Sequence, residues 1–187
     1  QRATRGPLVG LLLAMVVMVL ALLSDGLPAR GADADGVRFD APTAEDVARE
    51  TLARDDADVV VMAAAVADYR PAEPEAEKRP KDGRPWTVTL EPTTDVLREL
   101  GQRRTDGQLL VGFAADRGER GLERAREKLA NKRADLIVFN DVARDDVGFD
   151  APDNEVVLVA AQGERRIEKA PKEQIAAAIL DEVVRRL

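Results

Sequence analysis

Apolar positions along this chain change period, and the changes mark its elements. Asp58–Met62 is a β-branched run without alternation, which suits a strand buried on both faces. Leu109–Ala115, LLVGFAA, and Leu136–Asn140 read the same way. Helical periods lie between them. Thr43–Arg54, TAEDVARETLAR, opens with a capping-box pattern, Thr43 followed three residues later by Asp46. Thr93–Arg104 starts with Thr and Asp and continues as an amphipathic helix. Arg120–Lys132 carries Leu122, Ala125 and Leu129 as its apolar stripe. Trp86–Leu90, WTVTL, alternates and predicts a strand. Glu155–Ala161 and Arg165–Glu168 flank Gln162-Gly163 and predict a hairpin. Lys172–Leu187 predicts a closing helix that buries Ile175, Ile179, Val183 and Leu187.

Strand, helix, strand, helix, strand predicts an α/β fold: a Rossmann-like, three-layer parallel sheet with a β-hairpin edge. Arg70–Arg84 holds three prolines and many charges, which excludes a helix or a central strand there. It predicts a protruding, lysine-bearing arm. Ser24–Asp40 is rich in Gly, Pro, Ala and Asp and reads as loop. The organisation expected is an apolar N-terminal segment and loop over 1–36, then one ligand-binding domain over 37–187. Ligands of such folds bind outside the carboxyl ends of the strands. AAAVADYR, GFAAD and FNDV should therefore converge at one site.

Charge and composition narrow the chemistry. The net charge of −7 argues against nucleic acid as a partner, because phosphate backbones need a basic face. The chain has no Cys and no His. That removes thiolate nucleophiles, cysteine zinc sites and histidine bases, and leaves Lys, Arg, carboxylates, hydroxyls and backbone amides. A bound metal would be Mg²⁺ on carboxylates and ligand phosphates. Neither G-x-G-x-x-G nor G-x-x-x-x-G-K-[ST] occurs. Leu8–Leu23 is an uncharged apolar run after Arg2 and Arg5 and before ARGADA. Three readings stay open for it: a buried segment of the core, an export signal or anchor, and a disrupted N-terminus.

Several residues could carry function, each with a plainer reading beside it. Ala63, Ala64 and Ala65 at a strand end would let a ligand approach the backbone, or simply pack under a helix. Lys78 and Lys81 follow Glu73, Glu75 and Glu77, as a solvated charged arm or as a flap over a phosphate. Lys128 and Lys132 share a helix face and could clamp a polyphosphate, or lie exposed. Phe113 is core packing or an aromatic wall for a base.

AAAVADYRP, EKRPK, TTDVL, LLVGFAAD, AREKLANKRADLIVFNDV and GFDAPDNEVVLV stand in one order at compatible spacings. Together they closely resemble phosphopantothenoylcysteine synthetase, over roughly Val37–Leu187. The resemblance implies a ligase of coenzyme A biosynthesis. CTP with Mg²⁺ would activate 4′-phosphopantothenate as an acyl-cytidylate, and the amine of cysteine would then attack. It implies that Asp68 holds the CTP side while Ala64 and Ala65 line the acyl-cytidylate. It makes Lys78 the catalytic flap lysine and Lys81 a second one. Thr93, Thr94, Asp95 and Val96 match a nucleotide-contacting turn, with Thr94 where the family has proline. Phe113 matches the cytosine-side aromatic, Lys128 and Lys132 the CTP pair, and Asn140 a residue near the substrate. A cytoplasmic homodimer, joined through the arm, is implied, with a flavin-dependent decarboxylase fused or separate. The family's glycine-rich turn and Asn-x-Ser-Ser-Gly segment have no match in Gln1–Leu23. Two alternatives follow: a CTP-binding module that does not turn over, and an exported or membrane-tethered protein that reuses the fold.

Overall fold

In a computed structural model the described residues are 41–187, apart from 75, 76, 78, 79, 82 and 144–151. The apolar segment Leu8–Leu23, the loop Ser24–Asp40 and Lys78 lie outside them. Helix α1, Ala44–Leu52, is capped by Thr43, whose side chain accepts from the Asp46 amide while the Asp46 carboxylate accepts from the Thr43 amide. Strand β1, Val59–Met62, leads into the AAAVAD loop. Strands β2, Tyr69–Pro71, and β3, Leu90–Pro92, pair antiparallel and form the base of the arm. Helix α2, Val96–Arg103, starts from Asp95, whose carboxylate accepts from the Arg98 amide. Strand β4, Leu109–Asp116, helix α3, Gly118–Asn131, and strand β5, Leu136–Asp141, follow. Strands β6, Asp153–Ala160, and β7, Gly163–Pro171, make the hairpin, and helix α4, Lys172–Arg186, closes the chain.

The main sheet has five strands in the order β1-β4-β5-β6-β7. β1, β4 and β5 run parallel, and the β6–β7 hairpin extends them antiparallel. Strand residues alternate between two apolar layers. Val59, Val61, Val111, Leu136, Val138 and Val156 face α4, where Ile175, Ile179 and Val183 meet them. Val60, Leu110, Ile137, Phe139 and Val159 face the opposite side, with Ala48 of α1, Leu97 and Leu100 of α2 and Ala125 of α3. Helices thus cover both faces, which is why the strands read as unbroken apolar runs.

Four details depart from the sequence reading. Trp86–Thr89 is not strand; only Leu90 of WTVTL enters the ladder. Beyond Tyr69–Pro71 the arm makes one more bond between its two sides, from the Ala72 amide to the Thr89 carbonyl, before Pro74. Proline lacks the donor a ladder needs. The second amphipathic helix begins at Val96, leaving Thr93 and Thr94 in the turn before it. The hairpin loop is Ala161-Gln162, with Gly163 at φ +133° opening β7 opposite Ala160. Leu187, expected in the core, is 55% exposed because α4 ends one residue before it.

Glu182 of α4 is almost fully covered yet charged, and Arg165, Arg185 and Arg186 surround it. Burial pushes its carboxyl up, but the Arg185 and Arg186 guanidiniums outweigh this and hold it below its ordinary value of 4.5. Such a group stabilises the fold above its unfolded pKa and loses that contribution as pH falls through the folded one. Glu182→Gln should therefore lower the melting temperature at about pH 7 and much less at about pH 3. Equal lowering at both would remove Glu182 as a source of acid sensitivity.

Candidate active site

The site forms where the carboxyl ends of β1 and β4 meet the start of α2 and one face of α3. The chain crosses from β1 into Ala63–Asp68 and returns through Thr93. Two hydrogen bonds stitch these segments: the Thr93 amide donates to the Asp68 carbonyl at 2.9 Å, and its hydroxyl to the Ala67 carbonyl at 2.6 Å. Arg70 ties the arm base to its surroundings, bridging Glu45 of α1 and Glu91 of β3. The result is a concavity of about 150 Å³. Its lining includes Ala64, Asp68, Thr93, Thr94, Asp95, Val96, Phe113, Lys128 and Lys132.

Each cation here is held. Lys128 is half-buried and donates to the Phe113 carbonyl at 2.7 Å. Burial lowers its pKa below the ordinary 10.5, against a smaller upward pull from Asp68. Asp68 therefore stands near enough for its charge to be felt across the cavity. Lys132 caps the end of α3 and forms an ion pair with Asp95, the residue that caps the start of α2. One carboxylate thus orders a helix start and a site lysine together. Phe113 takes both roles open to it: it packs against the α4-side core and lines the cavity.

Lys132 is positioned by unusual backbone. The amides of Arg133 and Ala134 return to the carbonyls of Ala130 and Leu129, a Schellman end with Arg133 at φ +52° instead of the usual glycine. Gly101 of α2 lies against this end. A Cβ added to it would sit 2.0 Å from the Lys132 carbonyl oxygen. Gly121 likewise lets α3 approach the sheet, where a Cβ would meet Asp116 and Phe139 at 2.9–3.1 Å.

Some expected residues lie apart. Ala65 and Lys81 are exposed and do not line the cavity, and Lys78 is outside the described residues. Asn140 stands at the end of β5, opposite Ala115, and does not line it either. Its buried Oδ1 has no hydrogen-bond partner. Of the three converging segments, AAAVAD and the start of GFAAD meet, while FNDV stays one strand over. Met62, Val66, Ala67 and Leu97 also line the cavity without having been expected. Ala67 sits inside the quoted AAAVAD run, so its neighbourhood was the available signal. Among the described residues no group of three or more acids is placed to hold a metal ion. A Mg²⁺ here would fit as a passenger on ligand phosphates, with Asp68 the carboxylate at hand.

A mostly parallel α/β sheet with a concavity at the carboxyl ends of its parallel strands has the hollow where ligands of such open α/β folds bind. The family model described as the DNA/pantothenate metabolism flavoprotein C-terminal domain matches residues 21–187. The chain belongs to this family, the phosphopantothenoylcysteine synthetase domain of coenzyme A biosynthesis proteins. It is 42% identical over 113 residues to the coenzyme A biosynthesis bifunctional protein CoaBC of Bacillus subtilis, covering 60% of this chain and 27% of that protein. A solved C-terminal domain of CoaBC superposes with a TM-score of 0.57 at 31% identity, over 74% of this chain and 60% of that one. A solved DNA/pantothenate metabolism flavoprotein from Streptococcus pneumoniae shares the fold with a TM-score of 0.71 at 17% identity, over 96% and 88%. The chain spans about a third of the length of the curated relatives it matches. Among the described residues no helix is long and apolar enough to cross a membrane.

Proposed function

We propose that this domain joins 4′-phosphopantothenate to cysteine at the expense of CTP. The observation that carries the reading is the single concavity in which Asp68, the Thr93–Val96 turn, Phe113, Lys128 and Lys132 come together. In the first step a carboxylate oxygen of the acid attacks the α-phosphorus of CTP. A P–O bond forms, the α–β phosphoanhydride breaks, and pyrophosphate leaves. In the second step the amine of cysteine attacks the acyl carbon. A C–N bond forms, the bond to CMP breaks, and the amine loses a proton to solvent.

Neither step needs a protein nucleophile, which suits a chain without Cys or His. The protein's part is positioning and charge stabilisation. Lys128 and Lys132 hold phosphate oxygens, Phe113 backs the cytosine, and Asp68 holds the nucleoside side. Ala64 leaves room for the acyl-cytidylate, and the resemblance adds Ala65 and Asn140 to the substrate side, Asn140 with an unpaired acceptor one strand away from the hollow. The resemblance gives Lys78 and Lys81 the stabilisation of charge on the activated carboxylate. Mg²⁺ held by the ligand's own phosphates, with Asp68 nearby, would supply charge neutralisation there.

We also place the domain in the cytoplasm, working beside a flavin-dependent decarboxylase as the family resemblance implies; the relatives' printed name, a bifunctional protein, is consistent with a second activity. Homodimerisation through the arm is supported by its exposed apolar side chains, Tyr69, Trp86, Val88 and Leu90.

The test is pyrophosphate release with CTP, Mg²⁺ and 4′-phosphopantothenate, with and without cysteine. Release together with a cysteine-dependent amide product is expected. CTP binding without release would favour a module that holds the nucleotide without turning it over. Absence of both would sink the reading.

A further inference from the structure

Arg104 lines neither the site hollow nor the open groove of about 640 Å³ beside it, between α2 and α3. It nevertheless ties four segments of the chain together. Its amide donates to the Leu100 carbonyl at 2.8 Å and closes α2. One terminal nitrogen of its guanidinium donates to the Arg133 carbonyl at 2.9 Å, the other to the Gln108 carbonyl at 2.8 Å. Both also reach Oδ1 of Asp135 at 3.2 Å. Asp135 is itself fixed to β4: its Oδ2 accepts from the Leu110 amide at 2.8 Å, and its amide donates to the Leu110 carbonyl at 2.9 Å. The Arg104 and Asp135 side chains are only 28% and 27% exposed, so water and salt screen them less than a surface pair.

The Arg133 carbonyl belongs to the end of α3, one residue after Lys132. α2 meets that end at three places. Arg104 holds the Arg133 carbonyl, Gly101 lies against the Lys132 carbonyl, and Asp95 pairs with the Lys132 ammonium. The Lys132 side chain therefore runs along α2, from Gly101 toward the residue that caps it. α2 has eight residues, and a slide by one residue's rise, about 1.5 Å, would part a hydrogen-bonded pair at its other end. A planar fork with donors on both prongs can fix this junction; an ammonium is a single point charge and cannot span it.

We propose that Arg104 is a positioning residue for the candidate site. It sets α2 in register against the end of α3, and so holds Lys132 on Asp95 from the far end of the helix. Its effect on the Lys132–Asp95 pair stands by itself; its effect on CTP rests on the reading above.

The experiment reads the ε-carbon resonance of Lys132 in protein carrying isotope-labelled lysine, assigned by its loss in Lys132→Arg. Asp95→Asn supplies the value for a Lys132 without its partner. Arg104→Met should move the resonance most of the way toward that value. Arg104→Lys, which keeps the charge but not the fork, should move it less in the same direction, and it carries the test should Arg104→Met fail to fold. Two controls should leave the resonance in place. Arg103→Met removes a charge and the Glu99 pair at the same helix end, and Glu182→Gln lowers stability from α4. By calorimetry CTP affinity should fall about fivefold in Arg104→Met, the size of one coupling within a contact network, and stay at wild type in Arg103→Met. An unmoved resonance in the Arg104 variants, or equal movement in either control, would overturn the assignment. So would a moved resonance with unchanged CTP affinity. A wild type that binds no CTP would remove the CTP reading, while the moved resonance would keep Arg104 as the residue that holds Lys132 in place.

Discussion

Lys128→Met is expected to weaken CTP binding about tenfold to a hundredfold, the range for losing a hydrogen bond to a charged group. The unbranched thioether fills the space of the lysine stem, so the change isolates the charge. Stability should stay within about 1 kcal/mol of wild type, because two terms oppose each other. The Phe113 carbonyl loses its donor, and the fold no longer buries a charge. A pH series separates these terms. The folded pKa of Lys128 lies below its ordinary 10.5, so between the two values the unfolded chain binds more protons. Stability contributed at this position therefore rises with pH across that window, while CTP affinity falls as the charge is lost. Lys128→Met should show neither trend. Calorimetry and thermal unfolding on one pH series check both, and parallel trends in wild type and variant would return Lys128 to a structural role.

Gly101→Ala should lower the melting temperature by about 4–8 °C, from about 2 kcal/mol in a chain of this size. Alanine favours a helix interior over glycine by about 1 kcal/mol, so local propensity predicts a gain. Packing decides the other way. The added methyl would lie 2.0 Å from the backbone oxygen of Lys132, and that oxygen belongs to a fixed helix end. Overpacking of this severity costs about 3 kcal/mol and exceeds the propensity gain. The relief available is for α2 and the end of α3 to part, which pulls Lys132 from Asp95. CTP affinity should therefore fall with stability, although Gly101 touches neither hollow. A variant as stable as wild type, with unchanged affinity, would show that this contact yields freely.

Much of the site was readable because its residues sit at strand ends and helix starts, which periodicity and capping chemistry locate. Asp95 is one example: a short acidic side chain before an apolar-periodic run marks a helix start, and that start is a wall of the cavity. Lys128 and Lys132 are another, since a spacing of four places them on one face of α3. The same spacing extended backward reaches Arg124, which the sequence reading passed over. Arg98 offered no such signal, because only the packing of α2 against α3 brings it into one groove with Lys128 and Lys132.

The sequence by itself determined the three buried strands, the helices between them, the hairpin and the broken arm. These follow from short-range rules: burial on both faces, helical period, caps, and the missing proline donor. Only the tertiary structure decided that Gly101 must lack a side chain, that Asp95 serves a helix cap and a site lysine together, and that Asn140 stands one strand away from the hollow. Each of these is a contact between segments distant along the chain. Local patterns fix which face a residue turns to the core; the packing of α2 against α3 fixes what it meets there.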